Sequence, residues 1–154
     1  MIKPLTMYGR DLEFVNEMKY LGVSLVAGKV FSVGLTSTVR KFRCASNTIL
    51  NAHRQSSEPD LLKLIYAVAV PILTYACEIL PLSNKQLNEM TVALNDAIRR
   101  VFSFQRWESV RYLRESFGYL SLSEIVHNRT ENFLKTFSRT GNDTLSTLRT
   151  TIDA

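Results

Sequence analysis

Between Lys19 and Ser57 the chain carries six basic residues, Lys19, Lys29, Arg40, Lys41, Arg43 and Arg54, and no acidic one. Cationic groups gathered without counter-charge attract an acidic partner. Of the 19 basic residues in all, the other 13 share the rest of the chain with all 14 acidic residues, so the net charge of +5 is a local excess. At about 100° per residue, Arg40, Arg43, Asn47 and Arg54 share an arc of roughly 60° on one helix. A solvated helix face with no partner has the same composition.

Other chemistries find little material. His53 and His127 are the only histidines, and neither has a neighbouring Ser or Cys to act as an activated nucleophile. Cys44 and Cys77 have no Cys or His at metal-ligand spacing around them. Cys77 lies in an apolar run and reads as a small core residue. The carboxylates are spread singly; the nearest pair, Glu58 and Asp60, is explained by helix-start electrostatics. A two-metal polymerase or nuclease site needs clustered carboxylates to hold cations about 4 Å apart. The six glycines are scattered and form no phosphate-cradling loop. These features imply no catalysis by this chain alone, no cofactor and no bound metal. Two unpaired thiols and the absence of an apolar signal core in Met1-Ile2-Lys3-Pro4-Leu5 point to an intracellular chain, cytoplasmic or nuclear.

The elements that must position the basic residues follow from periodicity and turn chemistry. Residues 1–28 read as β: the apolar stretch Leu5 to Tyr8, a turn at Gly9-Arg10-Asp11, then Phe14-Val15 and Tyr20 to Val26, closed by Ala27-Gly28. From Phe31 the period becomes helical, with Leu35, Val39, Phe42, Ile49 and Ala52 on one face. Ser57, Pro59 and Asp60 make a helix start. Leu61 to Leu80 is apolar nearly all round and reads as the central buried helix, kinked or broken by Pro71; its charges and that proline exclude a membrane span.

Ser83 with Gln86 forms a capping box, and Leu82 with Leu87 a hydrophobic staple, ahead of the stripe Leu87, Met90, Leu94, Ala97, Ile98 and Val101. Arg99 and Arg100 lie beside that stripe; being adjacent, they point in different directions, so one can be structural. A short helix with Val110, Leu113 and Phe117 stops at Gly118. Ser121 with Glu124 repeats the capping box, and Ile125, Val126, Phe133 and Phe137 carry the last helical stripe. Trp107 reads as a core anchor rather than a stacking platform. The expected architecture is mainly α. A bundle of four to five helices over 29–139 follows a short antiparallel β-hairpin or three-strand element over 1–28, and 140–154 form a flexible tail.

Lys19-Tyr20-Leu21-Gly22-Val23 resembles the tyrosine–leucine–glycine hairpin that ends the palm of non-LTR (LINE-type) retrotransposon reverse transcriptases. Phe31 to Arg54 resembles the basic helix after that hairpin. Val70-Pro71 with Tyr75-Ala76-Cys77-Glu78 resembles the family's valine–proline and tyrosine–glycine–x–glutamate pattern, with Ala76 at the usual glycine. Asp96 to Phe102 resembles the following helix with its arginine pair and aromatic, and Leu120-Ser121-Leu122 the entry to the last one. The resemblance spans about Leu5 to Phe137 and lacks the palm's metal-binding aspartates, the fingers, an endonuclease and a cysteine-rich segment.

It implies a remnant or separately encoded tail of an RNA-directed DNA polymerase. Such a chain is thumb-like, grips template–primer backbone and does not polymerise alone. Backbone contacts would fall to Arg40, Arg43 and Arg54, then Lys41. Tyr20 would touch the primer strand, with Gly22 allowing close backbone approach; hairpin and core packing explains Tyr20, Leu21 and Val23 equally well. Two other readings fit the same residues. One is an inert remnant. The other is a helical protein-interaction module, docking or self-associating through surface that a missing palm leaves bare.

Overall fold

A computed structural model of the chain describes residues 6–29 and 32–139, so the expected tail over 140–154 lies outside the described residues. Thr6–Met7 (β1) pairs antiparallel with Arg10–Asp11 (β2), and Glu17–Tyr20 (β3) pairs with Val23–Val26 (β4). Each hairpin closes through two residues at positive φ: Tyr8 and Gly9 at 51° and 75°, Leu21 and Gly22 at 46° and 85°. Two successive left-handed residues define a turn whose twist matches that of the flanking strands. Phe14-Val15, expected as strand, belongs to no strand.

A further strand, Ser32–Gly34 (β5), completes the three-stranded order β3-β4-β5. The helical period was expected from Phe31, so the β part reaches further than periodicity indicates. Three residues give too few alternations to be told from a first helical turn. The contacts are what decide: Val33 is buried, and a Cβ on Gly34 would lie 3.3 Å from the Ser24 Cβ, so the strands approach closely at the glycine.

Five helices follow, of which Thr36–Ala52 (α1) is the first. Glu58–Leu64 (α2), a π-helical turn at Ile65–Ala69 and Val70–Leu73 (α3) then run as one continuous helix. Asn84–Val101 (α4), Arg111–Ser116 (α5) and Leu122–Arg139 (α6) complete the set. The chain is thus mainly α behind an antiparallel β element. The helix starts are set locally. Ser57 Oγ accepts from the Asp60 N–H at 3.4 Å, and Ser83 Oγ accepts from the Gln86 N–H at 3.3 Å. Ser121 Oγ accepts from the Glu124 N–H at 3.2 Å, and Glu124 Oε2 accepts from the Ser121 N–H at 2.7 Å. α5 ends as its glycine indicates, with the Gly118 N–H donating to the Glu115 carbonyl at 3.0 Å.

Pro71 neither breaks nor ends the central helix. The Val70 N–H reaches back to the Ile65 carbonyl, five residues away, and this wider turn makes room for a ring that would strike the carbonyl four residues back. The helix does end earlier than its apolar run, at Leu73 instead of Leu80. The interruption comes at Ala76, whose φ is +58°. An L side chain costs about 1–2 kcal/mol in that conformation and glycine costs little. Ala76→Gly is therefore expected to stabilise the fold by about 1 kcal/mol, read as a raised urea midpoint at unchanged slope.

The core lies where α1, the central helix and α4 meet. Phe42, Leu62, Ile65, Leu73, Met90, Leu94 and Ile98 are all fully buried there, each contributing roughly 1.5–3 kcal/mol of burial. Leu122 closes it from the start of α6. Two stripe assignments need correction. Ala52 is exposed, because α1 terminates there. In α6 only the first turns pack: Phe133 is exposed, and it stacks on Phe137 at 6.0 Å beyond the core. Among the described residues no helix is long and apolar enough to cross a membrane.

Gln86 couples the two parts of the molecule. Its Oε1 accepts from the Ser83 N–H at 2.9 Å to close the α4 capping box, while its Nε2 donates to the Val33 carbonyl of β5 at 2.6 Å.

Candidate nucleic-acid interface

α1 buries Val39, Phe42, Ser46 and Ile49 and turns Arg40 and Arg43 to solvent. Neither arginine has a hydrogen-bonding or ionic partner among the described residues. Arg54 does not continue their face. α1 ends at Ala52, and Arg54 sits in the turn beyond it, its Nη2 donating to Asn51 Oδ1 at 3.3 Å. The polar turn from His53 to Ser56 leads into α2, so the helical phase that aligned Arg54 with Arg40 is lost.

The arginine face is completed from α4. Arg100 Nη1 donates to Asn47 Oδ1 across the gap between the two helices. Beneath this bond lies a cavity of about 210 Å³, lined by Arg43, Ser46, Asn47, Asp96, Ala97 and Arg100 among others. Ser46 is only 2% exposed, and its Oγ, although buried, has no hydrogen-bond partner among the described residues. A buried hydroxyl left unpartnered costs roughly 1–3 kcal/mol, so a ligand oxygen at this spot would be bound with that deficit removed. Asp96 does not neutralise the groove, because it accepts from Arg99 Nη1 at 3.0 Å.

The adjacent arginines, about 100° apart on the helix, divide their roles. Arg99 is structural: besides Asp96, its Nε holds the Glu108 carbonyl at 2.9 Å. That bond fixes the loop carrying Arg106 and Trp107, both exposed. Arg106 lines a second hollow of about 270 Å³ together with Asp96, Arg99, Arg100 and Phe104, so the basic surface runs on from the groove. Trp107, expected as a core anchor, is 82% exposed. The local sequence holds an indole beside an arginine but says nothing of what covers it; α4 and α5 simply pass without reaching over this loop.

Lys41 faces the other way, roughly 160° round α1 from Arg43. It lines a separate cavity of about 380 Å³ with Gly22, Thr38, Pro71, Ile72 and Tyr75. Here the β3–β4 turn docks on the helical part: Tyr75 Oη donates to the Leu21 carbonyl at 3.1 Å. Gly22 has a φ of +85°, which favours glycine, while a Cβ there would stand 3.4 Å from the Tyr75 ring, an ordinary contact, so the turn shape and not the packing selects the residue. Tyr20 and Leu21 are 60% and 74% exposed, while Val23 packs against the core. Of the residues singled out in the sequence, Gly22 and Lys41 thus meet at one site. Arg43 belongs to another with Arg40 beside it, and Arg54 belongs to neither.

The segment behind Tyr75 is pinned from α6. Arg129 Nη1 donates to the buried Thr74 Oγ1 at 3.1 Å, and Arg129 Nε lies 3.5 Å from Glu78 Oε2. Burial, together with the neighbouring Glu78 carboxylate, pushes the Cys77 thiol up to about 11, so at neutral pH it is an inert packing group. Burial likewise pushes Tyr66 up to about 12; its hydroxyl donates to the Leu120 carbonyl at 3.1 Å and its ring stacks on Tyr119. Among the described residues no three His, Cys, Asp or Glu side chains gather as metal ligands. Compared with protein-family models, with curated proteins and with solved structures, the chain matches none.

Proposed function

We propose that the chain is a nucleic-acid-binding module of the reverse-transcriptase thumb kind, which grips the sugar–phosphate backbone and does not itself extend a primer. The observation that carries this reading is the α1–α4 groove, where Arg43, Asn47 and Arg100 line one cavity with a buried Ser46 hydroxyl that has no partner among the described residues. Two guanidinium forks, an amide and a hydroxyl form a donor set suited to phosphate oxygens. Arg40 on the neighbouring turn and Arg106 beyond the groove extend the positive surface along a backbone path, and the exposed Trp107 offers a face on which a base can stack. Nothing in this arrangement reads base edges, as expected of a clamp indifferent to sequence.

The test is titration of the purified chain into a labelled RNA–DNA hybrid, followed by anisotropy at several salt concentrations. With three to five phosphates neutralised, log affinity falls against log salt with a slope of roughly −2 to −5. Absence of binding at low salt by a folded chain overturns the proposal. Single- and double-stranded competitors rank the preferred nucleic acid.

A second reading, a protein-interaction module, is favoured by one feature: Met18, Tyr20 and Leu21 of the β3–β4 hairpin are bare to solvent.

A further inference from the structure

The three-stranded sheet has one closed edge and one open edge. On β5 the Val33 carbonyl points outward and accepts from Gln86 Nε2 at 2.6 Å, so α4 blocks that side. On β3 all four residues are exposed, and β4 is its only neighbouring strand among the described residues. The direction of its peptide groups follows from the pairing. The Ala27 N–H donates to the Asn16 carbonyl at 2.8 Å, and Tyr20 faces Val23 across a two-residue turn. Asn16, Met18 and Tyr20 therefore turn their peptide groups toward β4, and Glu17 and Lys19 turn theirs to the open edge.

These two residues have opposite charge, and neither has a partner among the described residues. An antiparallel second copy centred on Met18 would set Glu17 against the partner's Lys19 and Lys19 against the partner's Glu17. Both pairs exchange backbone hydrogen bonds and bring opposite charges together on one face. Sliding the register by two residues would oppose Glu17 to Glu17 or Lys19 to Lys19, and sliding it by one would misalign the peptide groups. The opposite face agrees. Val33, Leu25 and Met18 form one cross-strand row, buried at Val33, half-buried at Leu25 and 51% exposed at Met18. In the pair of copies that row continues through Met18 against Met18, and the bare Tyr20 rings flank it.

We infer that β3 is a homodimerisation edge: two copies of the chain join antiparallel about Met18, making one continuous sheet from two three-stranded ones. The inference does not depend on nucleic-acid binding. Sedimentation velocity of the full chain over a wide concentration range tests it, with circular dichroism to check folding. The native chain is expected to show a monomer–dimer equilibrium. Glu17→Lys and Lys19→Glu, each creating like charges across the edge, should weaken it about tenfold or more. The double variant Glu17→Lys with Lys19→Glu restores opposite charges and should recover most of the association. A native monomer at every concentration overturns the inference. So does a dimer indifferent to the single reversals, or one that the double reversal fails to restore.

Discussion

Gln86→Glu is expected to loosen the β-sheet while leaving the start of α4 intact, at a cost of about 1–2 kcal/mol. Glutamate serves a capping box as well as glutamine, since Oε1 is the atom that accepts from the Ser83 N–H. The other half of the side chain is not replaceable. Nε2 donates at 2.6 Å to the carbonyl of Val33, a residue only 5% exposed, and a carboxylate oxygen there would face another acceptor. The carbonyl then loses its partner, and an unsatisfied buried acceptor costs about 1–3 kcal/mol. Gln86→Ala removes the cap as well, adding about 1 kcal/mol. The measurement is amide hydrogen exchange with urea unfolding alongside. For Gln86→Glu, protection should fall in Val23–Val26 and Ser32–Gly34 and persist in Asn84–Val101. Equal loss in strands and helix would mean that the Val33 bond supports both parts as one cooperative unit, and no loss that Gln86 acts only as a cap and the strand is held by burial of Val33 alone.

That clamp marks the limit of what the sequence discloses. The box Ser83–Gln86 is legible because both partners sit three residues apart, as are Ser57–Asp60 and Ser121–Glu124. The apolar stripes of α1 and α4 are legible for the same reason, since a helix brings its own neighbours together at fixed spacing. The second bond of Gln86 joins residues 53 apart, and so does Arg100 to Asn47. No local spacing encodes either. Arg40 and Arg43 could be named from charge and phase, but their ally on α4 could only be guessed at as one of two adjacent arginines. Arg54 leaves the arc of Arg40 because the end of α1 is set by a turn without a strong signal, and Trp107 is bare because exposure depends on what the rest of the chain leaves uncovered. Pro71 shows a subtler limit: a proline signals trouble in a helix, but whether it ends as a break or as one wide turn depends on packing around Ile65 and Val70, both buried.

The largest expected effect on binding belongs to the pair Arg43→Ala with Arg100→Ala. Each arginine that neutralises a phosphate accounts for about 0.7–0.9 of the salt slope, so their joint loss should flatten it by about 1.4–1.8. At low salt the affinity for an RNA–DNA hybrid should fall on the order of a hundredfold, as two charge-assisted contacts of about 1.5 kcal/mol each would require. Stability should hardly change, because Arg43 has no partner among the described residues and Arg100 gives up only its bond to Asn47 on an exposed surface. Lys41→Ala is the internal control: its side chain lines the Gly22–Tyr75 cavity on the far side of α1, so its removal should leave affinity and slope nearly as they were. Ser46→Ala separates a ligand site from a mere cationic face. Its Oγ is buried without a partner among the described residues, so the free protein should be no less stable, or slightly more stable, without the hydroxyl. If a phosphate oxygen accepts from that hydroxyl, binding nevertheless drops several-fold with no change in salt slope, since a neutral donor releases no counterion. Weakening by Lys41→Ala equal to that of the arginine pair would mean diffuse attraction to a basic protein. Loss confined to Arg43, Arg100 and Ser46 would locate the clamp between α1 and α4.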